Sequence, residues 1–277
     1  MRGLSPQERA REILEMIRRD QRVHTSEVAR RFGVSLVTAR HDLDLLAGQG
    51  LLVRARGVAM APRGAGAEAE FDVRLRKQYA EKRAIAAEAA GLVGDGDVVA
   101  LDASTSAYYL GLELTGRREL VVLTNGLRVA SVFKDAPQVT VILTGGVLRW
   151  AAVSTVGELG EALLEQTRIG RGFFGARAVD PERGLLDLNP EEVRLKRAMA
   201  AACSEVIGLV DHTKWSASGM MPFAGPDQIR RLITDRATSA ERMAAWDEHG
   251  VSVVRAPAVG GGDGELRATG RPPGQLA

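Results

Sequence analysis

Three observations predict an α/β protein in two parts, a small N-terminal winged helix-turn-helix unit followed by a larger Rossmann-like parallel-sheet domain. Apolar residues recur at helical spacing as far as Leu46, with a glycine breaking the run at Gly33. From Val98 to Val254, short runs rich in β-branched residues alternate with amphipathic stretches, the order that builds a parallel sheet covered on both faces. Between the two lies Gly57 to Glu70, rich in small residues and poor in large apolar ones, which reads as a linker. The expected divisions are 1–56 for the first unit, 57–72 for the linker and 73–256 for the second domain. Residues 257–277, dominated by glycine and proline, have too little to bury and are expected to be disordered.

In the first unit, Arg9, Ile13, Leu14 and Ile17 share one face of a first helix. Val28, Ala29 and Phe32 do the same for a second, which opens at Thr25 or Ser26. Gly33 tolerates φ > 0 and lets the chain turn, and Ser35 is placed to cap a third helix by accepting from its free backbone N–H groups. That helix is expected to bury Leu36, Ala39, Leu43 and Leu46, leaving Val37, Thr38, Arg40, His41 and Asp44 outward near its start. A helix so placed is suited to the DNA major groove, so Ser35, Val37, Thr38, Arg40 and His41 are the candidate DNA contacts. Leu51 to Arg56 reads as a wing strand whose basic ends, Arg54 and Arg56, would grip the phosphate backbone. A plain helical bundle has the same geometry, so the pattern alone leaves both readings open.

Composition narrows the field. The chain has 277 residues, is 45% hydrophobic and carries a net charge of +2, so it is globular and not basic overall. Positive charge is concentrated in the first 63 residues, where arginines outnumber Asp and Glu and no lysine occurs. The single cysteine, Cys203, excludes an internal disulfide framework and offers no metal-ligand cluster; it reads as a buried helix residue beside Met199 and Val206. No cofactor is called for. No apolar run reaches the roughly 18 residues a membrane span needs and no signal peptide is recognised, so a cytoplasmic protein without a membrane partner is expected.

In the second domain the polar motifs follow strands, where ligands of such sheets bind. Asp102-Ala-Ser104-Thr105-Ser106 stands between a strand and a helix, and its hydroxyls and free N–H groups suit an anion. An elaborate N-cap is the simpler reading of the same residues. Thr124-Asn125-Gly126 and Thr144-Gly145-Gly146 follow the next two strands; their glycines serve tight turns equally well. Asp211-His-Thr-Lys214 brings a lysine to the same edge, although a solvated surface lysine has the same pattern. A phosphorylated sugar would use all four motifs.

Two sets of residues carry a family resemblance. Arg9, Ile13, Ile17, Ser35, Thr38, Ala39, Arg40, Asp42 and Leu43 resemble the N-terminal signature of DeoR-type bacterial transcriptional regulators. His41, where a second arginine is usual, and Arg56-Gly-Val-Ala59, in place of His-Gly-Gly-Ala, depart from it. From Lys82 to Asp235, the motifs Asp95-Gly-Asp97, Asp102-x-Ser-Thr-Ser106, Thr124-Asn125, Leu143-Thr-Gly-Gly146, Gly184-Leu185, Lys196-Arg-Ala-Met199, Asp211-x-Thr-Lys214 and Ile233-Thr-Asp235 are similar to that family's effector domain. The resemblance implies a fold like ribose-5-phosphate isomerase, and a repressor of carbohydrate genes that a phosphorylated sugar relieves. It further implies that Ser104, Thr105, Ser106 and Lys214 hold the phosphate, with Asp102, Asn125, Gly146 and Lys196 around the sugar. A homodimer or homotetramer would place two recognition helices about 34 Å apart on an operator.

The rival expectation is a sugar-phosphate isomerase carrying a DNA-binding appendage. Isomerases of this fold carry Gly-Ala-Asp-Glu and a glutamate ahead of Asp-x-Ser-Lys. Here Gly175-Ala176 is followed by Arg177-Ala178, and Lys196 stands where that glutamate is expected; an ammonium cannot accept a proton. Glu191 and Glu192 keep the alternative open.

Overall fold

The computed structural model describes residues 6–20, 22–48, 52–55, 57–60, 71–217, 219 and 221–258. Arg56, most of the linker and the tail from residue 259 lie outside the described residues.

The N-terminal unit comprises α1 (Pro6–Asp20), β1 (Arg22–His24), α2 (Thr25–Phe32), α3 (Leu36–Gly48), β2 (Val53–Ala55) and β3 (Val58–Met60). Gly33 ends α2 at φ 62°, the left-handed conformation that the sequence assigns to it. Ile13, Ile17, Val28, Ala39, Leu43, Leu46 and Ala59 close one core. Arg9 belongs to the buried stripe of α1 because its guanidinium grips Asp42 of α3 through Nε at 2.6 Å and Nη2 at 3.1 Å. Leu36 corrects the expected core. It is 51% exposed, because the buried stripe of α3 begins one turn later, at Ala39.

The wing is also larger than the sequence suggests. β1, β3 and β2 form an antiparallel sheet in that order, with Ala59 paired to both Val23 and Arg54. The strand Val58–Met60 therefore lies in the stretch that composition assigns to the linker. Small residues hid it, since Ala59 packs in the core without the bulk that marks a strand.

The C-terminal domain begins with α4 (Phe71–Arg76) and α5 (Tyr79–Ala90), followed by β4 (Val98–Leu101), α6 (Thr105–Leu114), β5 (Leu120–Thr124), α7 (Leu127–Val132) and β6 (Val139–Leu143). A hairpin, β7 (Val147–Arg149) with β8 (Ser154–Val156), leads to α8 (Glu158–Glu165) and β9 (Ile169–Gly175). Then come β10 (Ala178–Asp180), β11 (Gly184–Asp187), α9 (Pro190–Ala202), β12 (Cys203–Leu209), β13 (Met221–Ala224), β14 (Ile229–Thr234), α10 (Ala240–Ala244) and β15 (Ser252–Arg255).

Seven parallel strands make the main sheet, in the order β15-β14-β12-β9-β4-β5-β6. It is buried on both faces, as the apolar runs predict. Adjacent residues show the period of two: Phe173 packs in the core with Ile85, Leu110 and Leu114, whereas Phe174 joins the opposite core with Val193, Met199 and Trp246. From β4 the chain builds outward through β5 and β6. It then returns to β9 on the other side of β4 and builds the opposite way, so the strand order reverses between β4 and β9. Ligands of open parallel sheets bind in the crevice at such a reversal.

Sequence reading missed β9 altogether, although it is central. Its run Ile169-Gly-Arg-Gly-Phe-Phe-Gly175 is interrupted by glycines, which weaken strand signals. Tertiary packing requires them: a Cβ on Gly172 would lie 2.5 Å from the Phe174 ring and 2.6 Å from the Cys203 sulfur. Cys203 itself opens β12 instead of lying within a helix. Its Sγ donates to the Met199 carbonyl at 3.0 Å, and burial pushes the thiol up to about 12.

Candidate functional site

A cavity of about 440 Å³ lies where the strand order reverses. The loop after β4 supplies Ala103 to Ser106, and the end of β9 supplies Gly175 with Ala176 and Arg177. The two loops are joined by Asp102, which is buried: Oδ1 accepts the Ser104 N–H and Oδ2 the Gly175 N–H, each at 3.1 Å. Their contact also needs a glycine, since a Cβ on Gly175 would lie 2.4 Å from that of Ser104. Ser104 is the N-cap of α6, its Oγ accepting the Ala107 N–H at 3.1 Å. The Thr105 and Ser106 hydroxyls make no hydrogen bond to the described residues. They stand in the cavity wall at the N-terminus of α6, where hydroxyls and helix N–H groups suit an anion.

Lys196, on α9, is buried beneath this wall. Its Nζ meets Asp102 at 2.9 Å, Asp187 at 2.8 Å and the Gly175 carbonyl at 3.0 Å, and stands 4.7 Å from the Phe223 ring centre. Burial favours loss of its proton, but Asp102, Asp187 and Glu192 outweigh that and raise its pKa. Burial likewise pushes the Asp187 carboxyl upward; the Lys196 ammonium and the Leu188 N–H outweigh it, and Asp187 stays below its ordinary value. Two of the Lys196 donors go to Asp187 and the Gly175 carbonyl, and Asp102 faces it as an ion pair. Lys196 thus lines the cavity, as expected of a residue near the ligand, and also serves as a clasp between three of its walls.

Glu192, one turn earlier, accepts from Arg149 at 2.8 Å, from Asn125 Nδ2 at 3.4 Å and from the Ser154 hydroxyl. Burial raises its pKa despite these partners.

Cations also line the cavity: Arg74 from α4, Lys77 from the turn after it and Lys82 from α5, with Arg177 and Lys214. Lys214 is 4.0 Å from Asp211, and burial, with Arg177 and Arg74 nearby, lowers its pKa. The Lys82 ammonium donates to the carbonyls of Arg74 and Lys77, both at 2.5 Å. Burial, with Lys214 and Arg74 adding repulsion, brings its pKa down to about 8 although Asp211 and Glu81 oppose the change. Asp211 caps the turn His212–Trp215, accepting the Thr213 N–H at 3.0 Å.

Of the predicted ligand residues, Ser104, Thr105, Ser106, Lys196, Asp211 and Lys214 line the cavity, and Asp102 lies directly behind it. Thr124, Asn125, Gly145 and Gly146 do not. Thr124 Oγ1 accepts the Gly126 N–H at 3.1 Å, and Asn125 bonds the Thr155 carbonyl and Glu192. Gly145 and Gly146, at φ 74° and 113°, turn the chain into the β7–β8 hairpin, and a Cβ on Gly146 would strike the Val156 carbonyl. The hairpin covers the carboxyl ends of β5 and β6, pairing Gly126 with Ser154, so these motifs act as its supports. Sequence reading missed Arg74, Lys77 and Lys82, which also line the cavity. The basic spacing from Arg74 to Lys82 was the one available signal, and it resembles any solvated helix face.

In the N-terminal unit, Val37, Arg40 and His41 are exposed on α3 as expected. Ser35 and Thr38 satisfy each other: Ser35 Oγ accepts the Thr38 N–H at 3.0 Å, and the two hydroxyls are 2.9 Å apart. Arg54 is held by Asp44 at 3.2 Å and by the Thr25 hydroxyl at 3.4 Å, so as described it serves the head's own structure.

A helix-turn-helix unit joined to a parallel-sheet domain with a polar cavity at its strand reversal has the parts of a ligand-responsive transcriptional regulator. Residues 9–63 match the DeoR-like helix-turn-helix domain, and residues 77–236 match the DeoR C terminal sensor domain. This chain belongs to the DeoR family of transcriptional regulators. The HTH-type transcriptional regulator GolR of Listeria innocua is 33% identical over 90% of this chain and 98% of its own. The glycerol-3-phosphate regulon repressor of Escherichia coli is 28% identical over 87% of this chain and 95% of its own. Among solved structures, ribose 5 phosphate isomerase A from Neisseria gonorrhoeae aligns with 49% of this chain and 53% of its own at 13% identity, with a TM-score of 0.37, a likeness too slight to carry argument. The chain is therefore a DNA-binding regulator and not an enzyme. Among the described residues no helix is long and apolar enough to cross a membrane.

Proposed function

We propose that this protein is a cytoplasmic repressor of carbohydrate-metabolism genes that binds its operator through α3 as a homodimer or homotetramer and releases it when a phosphorylated sugar enters the cavity. The observation that carries the reading is the meeting of unengaged hydroxyls at a helix N-terminus with a group of mutually repelling cations. A phosphate dianion would relieve that repulsion. Carboxylates facing it, Asp187 and Glu192, would accept from sugar hydroxyls. A relative that represses a glycerol-3-phosphate regulon supports the same class of effector.

The path to DNA is also suggested. α4, the described element next after the head, contributes Arg74 to the cavity wall. It is tethered by the Lys82 ammonium, by Tyr109 Oη donating to the Leu75 carbonyl at 3.1 Å, and by the Phe71 N–H donating to the Ala151 carbonyl at 3.1 Å. A ligand that draws Lys82 toward its phosphate would loosen the tether, and linkage requires DNA affinity to change by the same free energy. The test is a binding titration on DNA upstream of the protein's own gene with a panel of sugar phosphates. One of them should lower affinity at least tenfold. A sugar phosphate that binds the C-terminal domain and leaves operator affinity unchanged contradicts the mechanism.

A further inference from the structure

The recognition helix presents an unusual surface once its engaged groups are set aside. Ser35 and Thr38 are turned on each other, and Asp44 is paired with Arg54. Arg40 and His41 have no hydrogen bond or ion pair among the described residues. Beside them, in the first turn of α3, stand two large aliphatic side chains in solvent: Leu36 is 51% and Val37 74% exposed. Neither contributes to the core of the head, and exposing adjacent branched side chains gains nothing for folding.

We propose that Leu36 and Val37 are specificity residues that read the C5-methyl group of thymine in the major groove. The proposal rests on α3 being the DNA-contacting helix. In the major groove the thymine methyl is the apolar feature of the base-pair edges, and an aliphatic side chain is its complement. Arg40 supplies the other half of the reading, since a guanidinium matches the paired acceptors of guanine. Val37 and Arg40 are three residues apart, so their Cβ atoms lie about 5–6 Å from each other. At roughly 3.4 Å per base step, the thymine and the guanine fall within about two base pairs. The chemistry thus specifies a half-site carrying both bases at close spacing, with His41 contributing one further polar contact.

The test starts with the full-length protein selecting from a library of random duplexes. Enriched half-sites should carry thymine within about two base pairs of guanine. Replacing that thymine by deoxyuridine removes only the methyl group and should weaken binding about fourfold, the worth of one buried methyl. Deoxyuridine at other thymines should change nothing. Val37→Ala or Leu36→Ala should bind the thymine and deoxyuridine duplexes equally, with thermal unfolding unchanged because both side chains are exposed. Indifference to deoxyuridine at every position, or retention of the full discrimination by both variants, overturns the proposal. A library from which no sequence is enriched overturns instead the underlying reading of α3.

Discussion

In the N-terminal unit the groups available to a ligand, Arg40, His41, Leu36 and Val37, stand exposed within two turns of one helix; in the C-terminal domain they are drawn from segments between residues 74 and 214 and range from the buried Lys82, Thr105 and Ser106 to the exposed Lys77 and Arg177. The head keeps its ion pairs for internal use, Arg9 with Asp42 and Arg54 with Asp44. In the cavity cations crowd together, Lys82 resting on two backbone carbonyls and Lys214 beside Asp211, while Lys196 is clasped by Asp102 and Asp187. Under the proposed function the difference follows from the ligands. DNA brings its own water-filled groove and long-range field to an exposed helix. A small anion must be enclosed, and the desolvated charges that enclose it need a scaffold of satisfied ones.

The largest effect should come from breaking that scaffold. Lys196→Met leaves Asp102 and Asp187 buried without their cation, and we expect a loss of about 3–5 kcal/mol from the C-terminal domain. Urea unfolding followed by Trp246 fluorescence reads this, and a midpoint equal to wild type would mean the clasp is dispensable. Operator recognition is the next test. Arg40→Ala should weaken it by about 1–3 kcal/mol while leaving sugar-phosphate binding alone, measured by anisotropy and calorimetry in parallel. Lys214→Ala should do the opposite, costing about 1.5–3 kcal/mol in effector affinity with operator affinity preserved. A variant of either kind that affected both ligands equally would blur the division between the two regions.

A pH titration sharpens it further. Without ligand, Lys82 has a pKa of about 8, and a phosphate dianion favours its charged form. Binding above pH 8 must then take up a proton, so effector affinity should fall with rising pH, by at most about tenfold per unit. Calorimetry in buffers of different ionisation enthalpy should show that uptake at pH 9 and its absence in Lys82→Arg. The smallest expected effect is on coupling: Tyr109→Phe removes one tether of α4 at about 0.5–1.5 kcal/mol, shifting operator affinity with effector affinity kept. Unchanged affinity for both would remove α4 from the path.

Much of the head was legible because its signals are local. Gly33, Ser35 and the stripe Ala39-Leu43-Leu46 act within a turn or two of chain, and they specify a helix, a turn and a helix wherever they occur. Leu36 was misread for the same reason: periodicity counts residues but does not register where the partner helices end. In the second domain, Thr124-Asn125 and Gly145-Gly146 stood at the right sheet edge and were read as ligand groups. They hold a hairpin whose presence the short runs around Val147 and Ser154 did not disclose.

By itself, then, the sequence determined the division into a helix-turn-helix and a parallel α/β domain, the family, and the placing of the loop Ser104-Thr105-Ser106 at the cavity, since each depends on spacing along the chain. Only the tertiary structure decided which strand stands at the centre, where the order reverses, and which charges meet there. Gly172 and Gly175 look like breakers in sequence and become necessary when Phe174, Cys203 and Ser104 close on them. Lys196 shows no partner in sequence and becomes a clasp when Asp102 and Asp187 arrive from distant strands. Burial and charge pairing are properties of neighbours in space, which residue spacing does not encode.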